Sequence, residues 1–206
     1  MILYDITMAF EIELKAHISD SEALKRLLFE KTKYEMAFTK DDTYWYPGRT
    51  GDSGISGDRA PNPLPSGLRI RRENKIFEDG KEESSISVTF KIKEVKDGIE
   101  INNEQEFEIN SLPVFEELLK RLGLIPGHAK KKRGWAFTHN GINIELTEVE
   151  GLGTFVELEI LADNKREETI ASGREKLMQL LDSLGIEQDA IESRFYSEML
   201  RSQAKL

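Results

Sequence analysis

The chain has 206 residues, 38% of them hydrophobic and 33% charged, and a formal net charge of −9. This length and composition predict one folded domain, 1–206, rather than two domains or a disordered chain. The lack of cysteine excludes disulfides and thiolate-bound zinc and indicates a reducing compartment, the cytoplasm. The negative charge argues against general nucleic-acid binding, and no apolar run reaches the roughly 20 residues of a membrane helix.

The first half of the chain predicts several strands and one helix. Residues 8–18 alternate as a strand, and SDSEALKRLLFEKTK predicts a helix with a capping-box spacing from Ser19 to Glu22. DTYWY predicts a short strand, and the Pro- and Gly-rich residues 47–67 predict a long mobile loop. Further strands are predicted in LRIRR, SISVTFKIKEV and EQEFEI. The link before EQEFEI contains the turn dipeptide Asp97-Gly98.

The second half predicts three helices around a hairpin and a final strand. SLPVFEELLKRLGL has Pro113 near its first turn and Gly123 as a stop, as helices often do. AKKKRGWAFTHNGINIELTEV predicts a hairpin that turns at Asn140-Gly141, and EGLGTFVELEI predicts a turn followed by a strand. The remaining helices are predicted in NKREETIASGREKLMQLLDSLG and AIESRFYSEMLRSQAKL.

Charged residues recur at every second position of the predicted strands. In FEIELKAHI, for example, Glu11, Glu13 and Lys15 share one face, and Phe10 and Ile12 share the other. Charged faces of antiparallel strands usually meet water, so a solvated sheet face is one interpretation. The other is a closed barrel, with the apolar faces outward under helices and the charged faces around a lumen.

Such a lumen would have walls of opposite charge. The acidic wall would hold Glu11, Glu13, Glu106, Glu108, Glu145, Glu157 and Glu159. The basic wall would hold Arg69, Arg71, Lys91, Lys93, Lys131 and Arg133, with Lys15. Hard divalent cations bind carboxylate oxygens, and phosphates bind Lys and Arg, so this combination suits a metal-bound polyphosphate.

In this order the motifs resemble those of the CYTH superfamily, which includes class IV adenylyl cyclases, thiamine triphosphatases and inorganic triphosphatases. The similarity starts at the E-x-E-x-K of Glu11, Glu13 and Lys15 and covers nearly the whole chain. The other matching stretches are DDTYWY, LRIRR, TFKIK, EQEFEI, KKR, ELTEVEGLGTFVELEI and RFYSEML. E-x-E-x-K alone is a weak signal, whereas the ordered set is a strong one.

The resemblance implies an α+β fold, an eight-stranded antiparallel β-barrel known as the triphosphate tunnel, with flanking helices. It implies Mg²⁺ or Mn²⁺ held by Glu11, Glu13, Glu145, Glu157 and Glu159. It implies phosphate contacts from Arg69, Arg71, Lys91, Lys93, Lys131 and Arg133. Lys15, Glu13 and Glu157 would act at the reacting centre.

Two features depart from the cyclase pattern. Thr147 stands where many cyclase-type relatives have Asp, so either Glu145 takes over the metal contact or the site is weakened. The loop 47–67 is longer than usual; we expect an inert insertion, with a lid as the alternative. The three histidines lack zinc-site spacing, and the Gly151 and Gly153 pair precedes a strand and is therefore turn chemistry.

The resemblance implies a class IV-like cyclase that converts ATP to cyclic AMP and pyrophosphate. The first alternative is a triphosphatase that hydrolyses tripolyphosphate, thiamine triphosphate or a nucleoside triphosphate. A non-catalytic triphosphate sensor and a plain β-barrel interaction module are the rivals from other classes. The sequence leaves the oligomeric state open, a homodimer included.

Overall fold

The computed structural model describes residues 10–48, 67–96 and 99–203; the side chains of 91–96, 100 and 102–104 lie outside this description. The strands in these residues are β1 (Phe10–His17), β2 (Lys33–Pro47), β3 (Leu68–Phe77), β4 (Glu82–Lys96), β5 (Ile99–Glu108), β6 (Leu124–His139), β7 (Ile142–Val149) and β8 (Gly153–Ala162). The helices are α1 (Ser21–Lys31), α2 (Leu112–Arg121), α3 (Glu167–Ser183) and α4 (Tyr196–Gln203), with a 3₁₀ turn at Gln188–Ala190.

The strands form a closed barrel in the order β1-β5-β4-β3-β2-β6-β7-β8, and β8 pairs back with β1. Every neighbouring pair is antiparallel. The predicted fold class, an eight-stranded antiparallel barrel with flanking helices, is therefore confirmed. Closure leaves no sheet edge among the described strands, so their backbone groups bond to one another.

The apolar side chains lie on the outside of the barrel, under the helices. One buried cluster joins Ile12 and Leu14 of β1 and Leu158 of β8 to Leu177 and Leu181 of α3. A second buried cluster joins Trp45, Ile70 and Val88 of three neighbouring strands to Leu119 of α2. Because the apolar face of each strand packs against the helices outside, the opposite face of the same strand points into the barrel.

The predicted hairpin turn is confirmed, whereas the helix cap and the length of β2 differ from the prediction. The hairpin turns at Asn140-Gly141, both with positive φ (49° and 77°). Helix α1 is capped by Asp20, whose side chain accepts a hydrogen bond from the Ala23 N–H at 2.9 Å, and not by Ser19. Strand β2 extends far beyond DTYWY because it pairs along its length with both β3 and β6.

The predicted loop 47–67 lies mostly outside the described residues, as does the Asp97-Gly98 turn. Within the described part of the chain, no helix combines the length and the apolar character that a membrane span requires.

Strands β6 and β7 approach one another closely at Gly134. It pairs with Thr147 of β7, and a Cβ added to Gly134 would lie 2.1 Å from the backbone oxygen of Leu146. We expect Gly134→Ala to lower the free energy of unfolding by about 2–3 kcal/mol, because backbone cannot move aside cheaply.

Gly173→Ala is the matched control for urea-induced unfolding. Its Cβ would meet the flexible end of Ile12 at 2.6 Å, and alanine favours the helix over glycine by about 1 kcal/mol. Its free energy of unfolding should stay within about 1 kcal/mol of wild type. Equal losses for the two variants would contradict the close strand approach at Gly134.

Candidate active site: a charged tunnel inside the barrel

A cavity of about 620 Å³ runs through the barrel interior. Its charged lining residues are Glu11, Glu13, Glu35, Lys40, Arg69, Arg71, Glu106, Lys130, Lys132, Glu145, Glu157, Glu159, Glu198 and Arg201. Volumes of roughly 300–1,000 Å³ are usual for small-molecule sites. Of the residues that the sequence predicted to face a lumen, Glu11, Glu13, Glu106, Glu145, Glu157, Glu159, Arg69 and Arg71 line this cavity.

The acidic wall is built on β1, β8 and β7, which are adjacent in the barrel. Glu13 lies opposite Glu159, and Glu157 lies opposite both Lys15 of β1 and Glu145 of β7. All of these carboxylates, with Glu11, line the cavity. The barrel thus brings together the five predicted metal ligands, although they are up to 148 positions apart in the sequence.

Two of these carboxylates are held by lysines. Lys132 donates to both Glu157 oxygens at 2.5 and 2.7 Å, and Lys40 donates to Glu145 at 2.5 Å. Burial alone would raise the pKa of Glu157 and of Glu145, but the neighbouring ammonium groups hold both pKa values below the usual range. Both groups are therefore carboxylates at neutral pH.

The carboxylates suit a hard divalent cation by their chemistry. Mg²⁺ and Mn²⁺ prefer oxygen ligands. The carboxylates of Glu11, Glu13, Glu145, Glu157 and Glu159 all line the one cavity. Among the described residues, however, no three acidic or histidine side chains are already gathered closely enough to hold a metal ion. The donor set fits such an ion, and its assembly requires side-chain movement.

The basic wall comes from β2, β3 and β6. Arg69 donates to Thr89 at 2.8 Å and to Glu106 at 3.3 Å, and Lys40, Arg71, Lys130 and Lys132 line the same cavity. Lys132 is buried, and its pKa is raised: burial lowers it, but the carboxylates of Glu157 and Glu145 outweigh that effect. These five basic side chains line the same cavity as the carboxylates of the acidic wall.

Asp42 is the buried counter-ion of this wall. It accepts hydrogen bonds from Arg71 Nε at 2.7 Å and Nη2 at 3.0 Å, and it lies 3.1 Å from Lys130 Nζ. Burial opposes its charge, yet Lys130 and Arg71 hold the pKa of Asp42 well below its usual range. Asp42 therefore orients two cations that the cavity exposes to a ligand.

The prediction that Lys131 and Arg133 line the tunnel is wrong. Both are exposed on the outer face of β6, where Arg133 donates to Glu148 at 2.7 Å. Their neighbours Lys130 and Lys132 point inward instead. The register follows from Trp135 and Phe137, which share the odd-numbered face with Lys131 and pack in the outer apolar cluster.

The other predicted residues divide as follows. Lys15 is buried, and its ammonium lies 5.6 Å from the centre of the Tyr196 ring. Glu106 lines the cavity, whereas Glu108 is exposed and is not among the lining residues. The side chains of Lys91 and Lys93 lie outside the described residues; their backbone pairs with Glu104 and Asn102. For these two lysines the phosphate role remains a prediction.

Tyr196 of α4 belongs to the RFYSEML stretch that resembles the CYTH superfamily, and its side chain lines the tunnel, a position that was not predicted from the sequence. Its hydroxyl donates to Glu157 at 3.0 Å, and the ammonium groups of Lys130 and Lys132 lie 5.3 and 4.8 Å from its ring centre. Burial and the Glu157 carboxylate raise the pKa of Tyr196 well above its usual value, so it stays a hydrogen-bond donor. An aromatic ring suits this position, because the ammonium groups of Lys15, Lys130 and Lys132 surround it.

Thr147 does not reach the cavity lining. It is fully buried, and its hydroxyl oxygen has no hydrogen-bond partner among the described residues. Glu145, on the same face of β7, is the cavity-lining acid of that strand. The acidic contact expected at position 147 is thus absent from the described site, and Glu145 is the available substitute.

A closed eight-stranded barrel with opposed acidic and basic inner walls defines the class of triphosphate tunnel proteins. The sequence matches the CYTH domain over residues 9–196, so the chain belongs to the CYTH family. Members of this family are adenylyl cyclase-like or triphosphatase enzymes that bind triphosphates.

Three relatives illustrate the similarity. A Methanocaldococcus jannaschii protein provisionally named an adenylate cyclase is 28% identical over 195 residues, which cover 92% of this chain and 97% of that protein. A Pyrococcus horikoshii structure is 26% identical, with a TM-score of 0.73, and covers 94% of this chain and 99% of its own. A Hippeastrum structure, provisionally named an adenylyl cyclase and described with a dominant triphosphatase activity, has a TM-score of 0.57 at 15% identity and covers 95% and 96%.

The charge on Asp42 should contribute to stability in a pH-dependent way. Its folded-state pKa is depressed, so the stabilisation is present above its unfolded pKa near 3.8 and is lost as the pH falls through the folded-state value. We expect Asp42→Asn to lower the free energy of unfolding by about 3 kcal/mol at pH 7, because Arg71 and Lys130 lose their counter-ion. The difference from wild type should shrink below about pH 4.

Urea-induced unfolding of both proteins between pH 7 and pH 3 measures this effect. Asp41→Asn is the matched control, since the Asp41 side chain is 43% exposed and forms an ion pair with the exposed Arg72. A constant difference between wild type and Asp42→Asn across this pH range would show that the charge of Asp42 is not the cause.

Proposed function

We propose that this protein is a divalent-metal-dependent enzyme that binds a triphosphate inside the barrel and cleaves one of its phosphoanhydride bonds. The observation that carries the proposal is the pair of facing walls in one cavity, cations on β2, β3 and β6 and carboxylates on β1, β7 and β8. A triphosphate chain alone would satisfy the cations, and a metal ion alone would satisfy the acids. A metal-bound triphosphate satisfies both.

Each group of residues has its own role. Arg69, Arg71 and Lys130 bind phosphate oxygens, and their positive charge stabilises negative charge that develops on the leaving group. Glu11, Glu13, Glu145, Glu157 and Glu159 would hold Mg²⁺ or Mn²⁺. When bound, such an ion polarises a phosphoryl oxygen as a Lewis acid.

Lys132 and Lys40 have a second role, because they pair with two of the metal ligands. Phosphate oxygens that attract these ammonium groups would release Glu157 and Glu145 toward the ion. Lys15, buried and paired with Glu157 across the sheet, would contribute charge at the reacting phosphorus. Tyr196 keeps Glu157 oriented through its hydrogen bond.

Cyclisation of ATP is the first candidate reaction, since the 28% identical relative carries an adenylate cyclase name. In that reaction the ribose 3′-oxygen bonds to the α-phosphorus, the bond from this phosphorus to the bridging oxygen breaks, and pyrophosphate leaves. Hydrolysis is the second candidate: the oxygen of water bonds to the terminal phosphorus, the bond from this phosphorus to the bridging oxygen breaks, and the diphosphate portion leaves. The attacked terminal group is released as orthophosphate. The same walls serve both, and the position of the phosphate chain along the tunnel selects between them.

Product analysis separates the candidates. The protein is incubated with ATP, tripolyphosphate and thiamine triphosphate, each with Mg²⁺ and with Mn²⁺. Cyclic AMP with an equal amount of pyrophosphate indicates cyclisation, and orthophosphate indicates hydrolysis. Binding without turnover of any of these substrates would favour the sensor, and neither binding nor turnover would overturn the proposal.

Lys130 points into the cavity and its neighbour Lys131 points outward, so the two lysines give a matched test of phosphate binding. Lys130→Met removes an inward cation, while Asp42 keeps its contact with Arg71. We expect it to weaken the binding of methylene-bridged tripolyphosphate roughly 10- to 100-fold, the usual size of a hydrogen bond to a charged group. Lys131→Met removes an equal charge from the outer face and should leave the affinity within about twofold of wild type.

Calorimetric titration in Mg²⁺ measures both affinities, and circular dichroism checks the fold. Equal losses for Lys130→Met and Lys131→Met would mean that only overall charge attracts the anion, and would contradict an inward phosphate site.

The affinity for the metal ion can be measured without substrate turnover. In Glu13→Gln the carboxylate charge is lost at similar volume, so we expect the affinity for Mn²⁺ in the presence of methylene-bridged tripolyphosphate to fall at least tenfold. The electron paramagnetic resonance signal of free Mn²⁺ gives this affinity directly. Glu148→Gln, on the exposed outer face, is the control and should bind Mn²⁺ like wild type; unchanged binding in Glu13→Gln would remove Glu13 from the metal site.

A further inference from the structure

Three aromatic side chains lie beside the basic wall, where Tyr44 pairs with Arg69 across the sheet. Tyr44 and Tyr46 of β2 line the cavity, and the His128 ring stacks on Tyr44 with a centroid distance of 4.3 Å and an interplanar angle of 12°. Tyr46 lies 5.9 Å from the same imidazole, at 29°. We name Tyr44, Tyr46 and His128 the aromatic collar.

The collar is held in place from several sides. Arg201 of α4 donates to the Tyr46 hydroxyl at 3.1 Å, and that hydroxyl lies 3.2 Å from His128 Nδ1. The Tyr46 ring is also seated between two glycines, because a Cβ added to either Gly67 or Gly127 would come within 2.7 Å of it. Such a pre-arranged ring loses little conformational entropy when a ligand packs against it.

The collar is uncharged although it stands beside cations. Burial, with Arg201 and Lys130 nearby, lowers the pKa of His128 to about 4, so the imidazole is neutral at pH 7 and its Nδ1 can accept a hydrogen bond from the Tyr46 hydroxyl. Tyr44 pairs with Arg69 across the sheet, and Lys130 Nζ lies 5.8 Å from its ring centre. A ligand whose phosphates contact Arg69 and Lys130 therefore meets flat aromatic surface at its next group.

This arrangement distinguishes two kinds of triphosphate. Inorganic tripolyphosphate carries nothing that gains from an aromatic surface, and its charges favour the cations alone. A nucleoside triphosphate carries a flat base, and bases stack on aromatic side chains with little dependence on their identity. Thiamine and nucleoside esters both carry such rings, so the collar favours an organic over an inorganic substrate.

We propose that the aromatic collar is a binding subsite for a flat aromatic ring joined to the triphosphate, and that Tyr44 determines the preference of the tunnel for a nucleoside triphosphate over tripolyphosphate. The inference rests on the proposed function, since the phosphates must first be held by the basic wall. It adds the class of substrate and the residues that select it.

The test compares two non-cleavable ligands by calorimetric titration in Mg²⁺. One is methylene-bridged tripolyphosphate, and the other is the adenosine ester of the same methylene-bridged chain. For Tyr44→Leu we expect the adenosine ligand to bind roughly 5- to 150-fold more weakly, the range for loss of one base-stacking contact. The affinity for the inorganic ligand should stay within about twofold.

Three further variants separate stacking from general damage. Tyr44→Phe keeps the ring and should retain adenosine binding. Gly127→Ala pushes on the Tyr46 ring and should weaken the adenosine ligand selectively. Phe107→Leu removes an aromatic ring from the outside of the barrel, where Phe107 is 48% exposed, and should change neither affinity.

The outcomes are distinct. A selective loss of adenosine binding in Tyr44→Leu and Gly127→Ala supports the inference. Equal losses for both ligands, or no loss for either, overturn it while the proposed function stands. If wild type binds neither ligand, the proposed function and the inference fail together.

Discussion

Opposite charges paired inside a closed barrel are the interaction on which the rest of the molecule depends. Asp42 holds Arg71 and Lys130, while Lys132 holds Glu157. Removing such groups from water costs several kcal/mol per ion, and their mutual attraction often does no more than offset that cost. A barrel built only for stability would fill its interior with apolar side chains. The retained charges therefore indicate a site that a charged ligand completes.

The stability of the fold comes from outside the barrel instead. Helix α3 covers β1 and β8, helix α2 covers β2, β3 and β4, and both interfaces are apolar. This separation explains why the inner faces can hold so much charge. It also fixes the register, because a strand cannot slip by one residue without exchanging its apolar face for its charged one. Tyr196 joins the two layers, since it is buried with Phe155 on one side and bonds to Glu157 on the other.

The alternation of single strands allowed either a solvated sheet face or a barrel, and the resemblance to the CYTH superfamily decided for the barrel. Glu11, Glu13, Glu157, Glu159, Arg69 and Arg71, which that combination placed in the lumen, line the cavity. The alternation gave the wrong answer for Lys130 to Arg133, because in a run of four basic residues either the even-numbered or the odd-numbered pair could face inward. Trp135 and Phe137 could have identified the outward face of this strand, because their apolar side chains must face the helices. Lys40 and Asp42 were missed because their partners Glu145 and Arg71 are 105 and 29 positions away, so only the closed barrel brings them together. The aromatic collar was missed for the same reason, since Tyr44 and His128 come from different strands.

The central claim is that the charged interior is a triphosphate site, and equilibrium unfolding with and without tripolyphosphate and Mg²⁺ tests it most directly. A ligand that binds only the folded barrel stabilises it by about 2.7 kcal/mol at 100 times its dissociation constant. We expect a rise in the free energy of unfolding that grows with tripolyphosphate concentration and that sulfate at equal ionic strength does not reproduce. An unchanged free energy of unfolding at millimolar tripolyphosphate, or an equal rise with sulfate, would contradict it.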